Sequence, residues 1–456
     1  MSSQPRTFGM ILGGLLAAGS TQTLFAQTSV PEIAAPTVAA LNSAINPGDV
    51  AWILVSTALV MLMTPGLAFF YGGLVRRKNI LSILMQCFMM LCIISLQWVF
   101  CGYTLAFGPD HAGVIGGLDW LGLNHVGMEP SAYAPKVPHT AFALFQMMFA
   151  VITPGLIVGA FAERMRFSAF CVFSLLWSVL VYDPIAHWMW GRGGFLGTQG
   201  GMGAVDFAGG IVVHINAGMA ALAAVLVMGK RKGFPDAISP PHSLPLASLG
   251  AALLWFGWFG FNAGSALAAN AVAVSAFMAT HVAGATAGLV WCILDWVKFG
   301  KPTTLGMITG AVAGLAAVTP GAGFVAISGA VWIGLGAGVI CWLAVTAFKA
   351  KLQYDDSLDA FGVHGVGGIW GTIAVGLWAT VGVNPSAGIN GLFSGNALQL
   401  WIQLKAVAIT MIYSFVVSVV LFKIVDFVLG LRVPEREEAV GLDLTQHRES
   451  AYTLID

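Results

Sequence analysis

The stretch Asp206-Phe-Ala-Gly-Gly-Ile-Val-Val-His214-Ile-Asn-Ala-Gly218 decides how the rest of the chain is interpreted. It opens a hydrophobic run that reaches about Met228, and its acid and its histidine lie eight residues apart, or about two helical turns. If this run spans a bilayer, both side chains are costly to bury there, and such groups usually mark a transport pathway. A second histidine, His364, stands in Phe-Gly-Val-His364-Gly-Val-Gly-Gly. We therefore ask whether the two histidines belong to one site.

The composition indicates a membrane protein. Of the 456 residues, 58% are hydrophobic and only 9% are charged, whereas soluble proteins carry roughly 25% charged residues. The mean hydropathy of +0.85 and the repeated long apolar runs predict a polytopic helical membrane protein. The net charge of zero argues against a nucleic-acid partner. The six cysteines show no paired metal-ligand spacing, and we interpret them as buried hydrophobic residues.

The N-terminus has the pattern of a secretory signal peptide. Arg6 supplies a positive start, Phe8 to Ala18 form a short apolar core, and Leu24-Phe-Ala26 offers a cleavage point. The alternative, an additional transmembrane helix, is disfavoured because this core is too short to cross a bilayer. We expect residues 1–26 to be a signal peptide and residues 27–49 to be an extracytoplasmic lead.

Eleven apolar spans follow and define a membrane domain over residues 50–429. Their expected boundaries are roughly 50–74, 81–107, 139–161, 167–189, 206–229, 246–269, 273–297, 303–319, 327–349, 360–381 and 398–429. A helix needs about 20 apolar residues to cross the hydrocarbon core, so most of these runs are long enough. The sequence therefore predicts an all-α fold with eleven transmembrane helices.

Basic residues predict the orientation, because cytoplasmic loops are enriched in lysine and arginine. Those that follow odd-numbered spans are Arg76, Arg77, Lys78, Arg164, Arg166, Lys230, Arg231, Lys232, Lys298, Lys301, Lys349, Lys351 and Arg432. Loops after even-numbered spans hold almost none, with Arg192 and Lys405 as exceptions. We therefore expect the N-terminus outside and the C-terminus in the cytoplasm, in a multi-pass protein of the cell (inner) membrane.

The histidines also occupy related places in the span order. His214 lies on span five and His364 on span ten, and each span begins with an acid, Asp206 or Asp359. A group of five spans that occurs twice in tandem must be inverted in the membrane, and such repeats place their substrate site at the interface.

The predicted repeats cover most of the membrane domain. Repeat one takes about residues 50–230 and repeat two about residues 246–381. The eleventh span, about residues 398–429, remains as an outer brace helix.

Two intramembrane imidazoles could share a hydrogen bond, accept a proton, or ligate a metal or a haem. The alternative is two separate packing histidines, each bonded to a backbone carbonyl. The glycines beside both histidines let helices approach closely, which favours a paired functional role. A metal would need further ligands, and none is evident at the right depth, so we expect no metal and no other cofactor. A haem held by both histidines stays open as an alternative.

Four motifs together resemble the ammonium transporters of the Amt/Mep/Rh superfamily, and specifically a bacterial member. Two of them are Asp206 to Gly218, quoted above, and Trp258-Phe-Gly-Phe261-Asn-Ala-Gly-Ser265. The others are Asp355-Asp-Ser-Leu-Asp359-Ala-Phe-Gly-Val-His364-Gly-Val-Gly-Gly and Phe69-Phe-Tyr-Gly-Gly-Leu-Val-Arg-Arg-Lys-Asn79. The resemblance covers nearly everything after the signal peptide. It implies eleven spans, as already expected, and a homotrimer with one pore in each subunit.

The resemblance also assigns the site. It places an outer ammonium-binding site on Phe149, Trp190 and Ser265, a gate on Phe149 and Phe261, and a pore lining on His214 and His364. Aromatic faces attract a cation, and a hydroxyl accepts a hydrogen bond from ammonium, so these residue types fit that chemistry. We expect supporting roles for Asp206, Gln146, Trp258 and Asp359, with Asp206 and Asp359 as helix caps.

The implied mechanism recruits NH4+ at the outer aromatic site, removes a proton at or below the gate, and conducts NH3 past the two histidines. Whether the proton crosses separately is not decided by the sequence. No nucleophile–base motif stands out, so we expect a transporter in the lipid bilayer rather than an enzyme. An ammonium sensor that acts through its tail and a partner stays open as another class.

Residues 430–456 form a polar, charged segment that we expect to be a cytoplasmic regulatory tail. The alternative is a disordered end. The segment also resembles the family tail, which packs under the pore exits and helps to dock a PII-type signalling protein. We therefore expect a PII-type partner at the cytoplasmic face.

Overall fold

The computed structural model describes residues 44–236 and 239–452. The expected signal peptide and most of the expected lead lie outside the described residues. Eleven apolar helices, α1 to α11 in chain order, are Pro47–Leu74, Arg77–Phe107, His139–Phe161, Phe167–Trp190, Gly210–Met228, Leu244–Gly264, Ala271–Phe299, Thr304–Val318, Ile327–Leu352, Phe361–Trp378 and Ala397–Leu429. Ten of these described helices are long and apolar enough to span a membrane. The predicted all-α membrane fold is thus confirmed, and its eleven helices agree with the expected count except that α8 is short.

Helix α8 has 15 residues and is therefore about 22 Å long, less than the roughly 30 Å of a hydrocarbon core. It can be short because it is an internal helix, in which every residue from Ile308 to Val318 is buried. Just beyond its end, the backbone N–H of Phe207 donates to the carbonyl of Pro320 over 3.0 Å. Helix α8 therefore ends against the segment that leads into α5.

The remaining elements are small and lie in the loops and the tail. Strands β1 and β2 (Asp110–His111 and Ile115–Gly116) form one antiparallel pair, and strands β3 and β4 (Pro130–Ser131 and Ala134–Pro138) form another. Short 3₁₀ turns cover Leu121–Leu123 and Leu392–Ser394, and the tail contains helices α12 (Glu435–Val440) and α13 (Leu442–His447). Both strand pairs lie between α2 and α3, on the side that the basic residues predict to be outside.

Both histidines lie in widened turns at the starts of their helices. Helix α5 begins with a π-helical turn, Gly210–Ile215, and α10 begins with another, Phe361–Gly365. Such turns are rare and are frequently found at functional sites. Similar turns interrupt α2, α4 and α9 at Trp98–Gly102, Ser178–Tyr182 and Ala344–Phe348.

A buried aspartate caps each of these two starts, but the second is not the residue that we expected. Asp206 accepts hydrogen bonds from four successive backbone N–H groups, those of residues 209 to 212, at 2.7 to 3.1 Å. At α10 the corresponding acceptor is Asp356, which takes the N–H groups of Ala360 and Phe361 at 3.1 and 2.8 Å. The carboxylate of Asp359 instead pairs with Lys349 at 2.6 Å.

The expected capping role of Asp359 is therefore wrong. Its backbone adopts a positive φ of 61°, so it lies in the turn that precedes the helix, and its side chain is directed to Lys349. With Asp356 as the cap, the acid precedes the histidine by eight residues in both stretches. The equal spacing gives the two half-sites the same local construction.

Glycine allows α5 and α10 to cross almost in backbone contact. A Cβ added to Gly218 would lie 2.2 Å from the Cα of Gly365, and a Cβ on Gly368 would lie 2.9 Å from the Cβ of His214. Gly218 follows His214 by four residues and faces α10, and Gly368 follows His364 by four residues and faces α5. This reciprocity is what an inverted repeat requires, while the repeat boundaries stay a prediction.

Replacing Gly218 by alanine should destabilise this crossing. The added methyl group meets backbone atoms of α10 that cannot move aside, and overpacking of this kind costs about 1–3 kcal/mol of unfolding free energy. Gly382→Ala is the matched control, because its Cβ would meet only the Thr380 hydroxyl at 3.6 Å. Thermal denaturation of the purified protein should show a lower midpoint for Gly218→Ala alone. Equal midpoints for both variants would contradict the close crossing.

The two aspartates of the α10 start give a second test. Asp356→Asn removes the charge from the acceptor of two buried N–H groups and should lower the unfolding free energy by about 1–3 kcal/mol. Asp359→Asn removes only a partly exposed ion pair, which is worth less than about 1 kcal/mol. Denaturation curves of both variants measure this order. A larger loss of unfolding free energy in Asp359→Asn than in Asp356→Asn would show that Asp359 is the cap.

Candidate functional site

Three cavities follow one another through the protein, and the two histidines line the middle one. An outer cavity of about 430 Å³ lies on the side of the expected entrance, and a cavity of about 340 Å³ lies on the side of the tail. Between them is a middle cavity of about 10 Å³, room for roughly one water-sized molecule. Phe149 lines the outer cavity and Phe261 the middle one, while His364 lines both the middle and the tail-side cavity.

The outer cavity brings together the residues that we expected at the entrance. Phe149, Trp190, Ser265, Gln146 and Asp206 all line it. The rings of Phe149 and Trp190 meet edge to face, with their centroids 6.0 Å apart and an interplanar angle of 89°. Aromatic side chains that line one cavity in this way provide a surface that attracts a cation.

Two oxygen atoms of this cavity can accept hydrogen bonds from a bound molecule. The Ser265 hydroxyl donates its own hydrogen to the carbonyl of Phe261 over 2.8 Å, which leaves its oxygen lone pairs as acceptors. The side-chain oxygen of Gln146 is buried and has no hydrogen-bond partner among the described residues. The cavity therefore combines π faces with oxygen acceptors, a combination suited to a small cation that carries N–H groups.

Asp206 contributes to the same cavity mainly by holding its wall. Its two oxygens are occupied by the four N–H groups of the α5 start, so they are not free to bind a ligand directly. Its backbone carbonyl accepts a hydrogen bond from the indole nitrogen of Trp190 over 2.9 Å. The predicted cap is confirmed, and it also fixes the indole ring at the entrance.

Phe149 and Phe261 close the passage below the outer cavity. Their ring centroids are 4.3 Å apart, and each side chain is only 1% exposed. The pair lies between the outer and the middle cavity, which is the place expected of a gate. Passage from one cavity to the other requires these rings to move.

The middle cavity contains the two histidines in an otherwise apolar lining. The rings of His214 and His364 are nearly parallel, at 14°, with their centroids 5.3 Å apart. The Trp258 ring stacks on the His214 ring, with their centroids 5.5 Å apart and an interplanar angle of 29°. Trp258 is itself fixed by a 2.9 Å hydrogen bond from its indole nitrogen to the Thr319 hydroxyl.

The ring nitrogens contradict the interpretation of these residues as ordinary packing histidines. Both nitrogens of His214 and the Nδ1 atom of His364 are buried without a hydrogen-bond partner among the described residues. Buried polar atoms are nearly always paired, so three such atoms in one cavity indicate a place where a ligand supplies the partner. The cavity is also far too small for a porphyrin, which removes the bis-histidine haem alternative. Within the described part of the chain, no cluster of His, Cys, Asp or Glu is arranged to hold a metal.

Paired charges surround the tail-side cavity. Glu163 binds Arg76 at 2.9 Å and lies 3.4 Å from Arg231, which in turn binds Asp355 at 2.8 Å. Burial tends to raise the pKa of Glu163, but the Arg76 and Arg231 guanidiniums outweigh it and hold this pKa below its usual value. Burial also tends to raise the pKa of Asp355, but the hydrogen bonds and the positive charge of Arg231 outweigh this effect and lower the pKa. These carboxylates are ionised at neutral pH and neutralise the neighbouring guanidiniums.

Several residues in or near these cavities were not predicted from the sequence. Asp356 could have been found, because it repeats the acid-to-histidine spacing of the first stretch. Phe107 and Tyr133 also line the outer cavity, but they belong to no motif that we used, and Tyr133 reaches the cavity from the loop between α2 and α3. Glu163 precedes basic residues in a loop that we used only for topology.

Comparison with known proteins assigns the family. The model of the Ammonium Transporter Family matches residues 51–452. The chain is 52% identical to an ammonium transporter of Bacillus subtilis over 89% of this chain and 98% of that protein. It is also 52% identical to the ammonium transporter Amt1 of Archaeoglobus fulgidus, over 90% of this chain and 100% of that protein.

A solved structure agrees with this assignment. The crystal structure of Candida albicans Mep2 is similar to the present structure with a TM-score of 0.83 and 36% sequence identity, covering 91% of this chain and 94% of that chain. The resemblance that we drew from the motifs is confirmed, and the protein is a transporter rather than an enzyme. The chain belongs to the Ammonium Transporter Family.

Proposed function

We propose that this protein transports ammonium by binding NH4+ in the outer cavity, removing one proton at the phenylalanine gate, and passing NH3 along His214 and His364. The observation that carries this proposal is the middle cavity, which is narrow, apolar and closed by the gate, yet contains unpartnered histidine nitrogens. Family membership supports the substrate.

Recruitment rests on the outer cavity. A cation that enters it meets the faces of Phe149 and Trp190, whose quadrupoles attract positive charge by about 0.5–2 kcal/mol for each contact. The oxygens of Ser265 and Gln146 can accept hydrogen bonds from ammonium. Potassium makes the cation–π contacts equally well, so this cavity concentrates cations and contributes little to discrimination between the two ions.

Discrimination follows from the cost of moving a charge past the gate. The middle cavity exposes no polar surface beyond the histidines, and an unpaired ion in such a medium costs many kcal/mol. Ammonium avoids this cost by releasing a proton, after which NH3 is neutral and close to water in size. Potassium has no proton to release, so the same barrier excludes it.

The histidines supply what neutral ammonia needs in a dry passage. A neutral imidazole has one N–H donor and one bare acceptor nitrogen, and ammonia both donates and accepts hydrogen bonds. The unpartnered nitrogens of His214 and His364 therefore have a complementary ligand. Because His364 also lines the tail-side cavity, it leads the molecule towards the cytoplasmic exit.

Removing the imidazole of His214, which lies next to the gate, should remove selective transport. In proteoliposomes, His214→Ala should carry methylammonium at least about tenfold more slowly, or admit potassium, since the dry segment loses its hydrogen-bonding lining. His281→Ala is the control, because His281 lies on α7 and lines none of the three cavities. Unchanged methylammonium flux with unchanged selectivity against potassium in His214→Ala would refute the role given to the histidine pair.

We further propose that the protein lies in the cell (inner) membrane with its outer cavity facing away from the cytoplasm. We also propose that it works as a homotrimer. The distribution of basic residues supports the orientation. The resemblance to the family supports the trimer. On this basis residues 1–26 act as a signal peptide and residues 430–456 remain in the cytoplasm.

The tail is packed against the loops beside the tail-side cavity, which argues against a disordered end. The buried carboxylate of Glu438 accepts from the N–H of Lys232 and from the guanidinium of Arg432, both at 2.8 Å. Asp443 accepts from the N–H of Ser82 at 2.8 Å, and Asn79 accepts from the N–H of Leu442 at 2.8 Å. The tail thus contacts both the start of α2 and the loop that follows α5.

We propose that this packed tail helps to dock a PII-type signalling protein. A chain truncated after Leu429 should bind a purified PII protein much more weakly than the full chain, while it still transports methylammonium in proteoliposomes. A surface-plasmon-resonance titration measures the binding. Exchange of the exposed Val274 for alanine is the control, because Val274 lies at the start of α7, on the side that we predict to be outside, and should leave binding intact. Equal binding by truncated and full chains would remove the tail from the docking site.

A further inference from the structure

A fourth cavity lies beside the outer cavity and takes no part in the transport steps proposed above. It has a volume of about 380 Å³, and we call it the side pocket. The residues that bear on its chemistry are Phe107, Asp110, Trp120, Tyr133, His139 and Arg192. Phe107 and Tyr133 line both the side pocket and the outer cavity, so these two rings form a common wall.

The walls of the side pocket are aromatic and rigid. Phe107 and Tyr133 meet edge to face at 5.2 Å and 85°, and Trp120 and His139 do so at 4.7 Å and 80°. Tyr133 is also stacked on the buried ring of Phe142 at 5.2 Å and 7°, which fixes its orientation. Rings from several directions around one cavity provide the environment that attracts a cation and, in particular, a quaternary ammonium group.

The uncharged polar groups of this lining are already paired with protein. The Tyr133 hydroxyl donates to the carbonyl of Phe107 at 2.9 Å and accepts from the N–H of Arg192 at 3.0 Å. The Nε2 atom of His139 shares a hydrogen bond with the Tyr103 hydroxyl. A ligand with N–H groups would therefore find few free acceptors here and would lose hydrogen bonds on leaving water.

The carboxylate in the side pocket is engaged mainly through one oxygen, since its Oδ2 atom only shares the Gly113 N–H at 3.1 Å. The Oδ1 atom of Asp110 accepts from the Nε2 atom of His187 at 2.9 Å and from the N–H of Gly113 at 2.8 Å. The group still contributes negative charge beside the aromatic walls. Charge and π faces with few open acceptors favour a methylated ammonium group, which donates no hydrogen bonds, over NH4+.

Arg192 adds the opposite charge at the same place. Its side chain is exposed, and within the described part of the chain its guanidinium has no ion pair and no hydrogen bond. A free guanidinium binds carboxylate or phosphate groups well, through two parallel hydrogen bonds. The side pocket therefore offers one place for a methylated cation and another for an acid group.

We propose that the side pocket binds a small zwitterion in which a quaternary ammonium group and an acid group are joined, with the ammonium between the partly exposed rings of Trp120 and Tyr133 and the acid on Arg192. This site is separate from the ammonium pathway. Because Phe107 and Tyr133 line both cavities, a ligand in the side pocket would contact the same wall that faces the outer cavity.

The test uses the purified full-length protein and equilibrium dialysis with radiolabelled trimethylglycine and tetramethylammonium as probes. Trimethylglycine should bind saturably, and unmethylated glycine should compete at least about tenfold more weakly. Trp120→Leu should weaken both probes about tenfold, which corresponds to 1.4 kcal/mol. Arg192→Gln should weaken trimethylglycine by a similar factor and leave tetramethylammonium unchanged, because only the former has an acid group. Ser265→Ala, in the outer cavity, should change neither.

Three results would overturn the proposal: no saturable binding of trimethylglycine, competition by glycine as strong as by the methylated probe, or equal affinity in Arg192→Gln. The last comparison does not depend on the folding of Trp120→Leu, since Arg192 is exposed and its replacement leaves the aromatic walls in place. Ammonium flux is measured separately, so failure of this site would leave the transport mechanism untouched.

Discussion

The cost of placing a charge between the phenylalanine gate and the tail-side cavity is the constraint on which the rest of the structure depends. In that segment the free volume is about 10 Å³, and the described lining is apolar apart from His214, His364 and the indole of Trp258. An ion that enters must leave its water behind and finds no counter-charge. In the mechanism that we propose, the protonation state of the substrate, rather than its radius, therefore decides passage through this cavity.

The helix crossing that builds this segment depends on small residues and on two acids. Glycines at the crossing of α5 and α10 bring the two histidine rings within 5.3 Å of each other, and the carboxylates of Asp206 and Asp356 hold the widened turns from which those rings project. Burying these acids costs free energy that their backbone N–H partners offset. The two aspartates thus hold the helix starts, whereas the two histidines keep ring nitrogens without a hydrogen-bond partner among the described residues.

Much of this arrangement could be predicted from the sequence, because hydrophobic runs, basic loops and costly polar residues are local signals. The eleven helices, the paired histidines, and the grouping of Phe149, Trp190, Ser265 and Gln146 in one cavity were all expected. The capping role was assigned to Asp359 instead of Asp356, since a positive-φ turn cannot be seen in a sequence. The packing of the tail on distant loops, the buried Gln97–Asp183 hydrogen bond of 2.7 Å between α2 and α4, and the side pocket all depend on long-range contacts that no local pattern encodes.

In the proposed mechanism, the passage admits a molecule able to lose a proton and rejects an ion that cannot. The most direct measurement is solute flux and current in proteoliposomes that contain the purified full-length protein, with ammonium or potassium as the driven ion, across a range of pH. We expect saturable ammonium-driven transport at each pH and no potassium current above that of empty liposomes. A potassium current comparable to the ammonium signal would contradict it, because a cation would then be crossing the apolar segment with its charge intact.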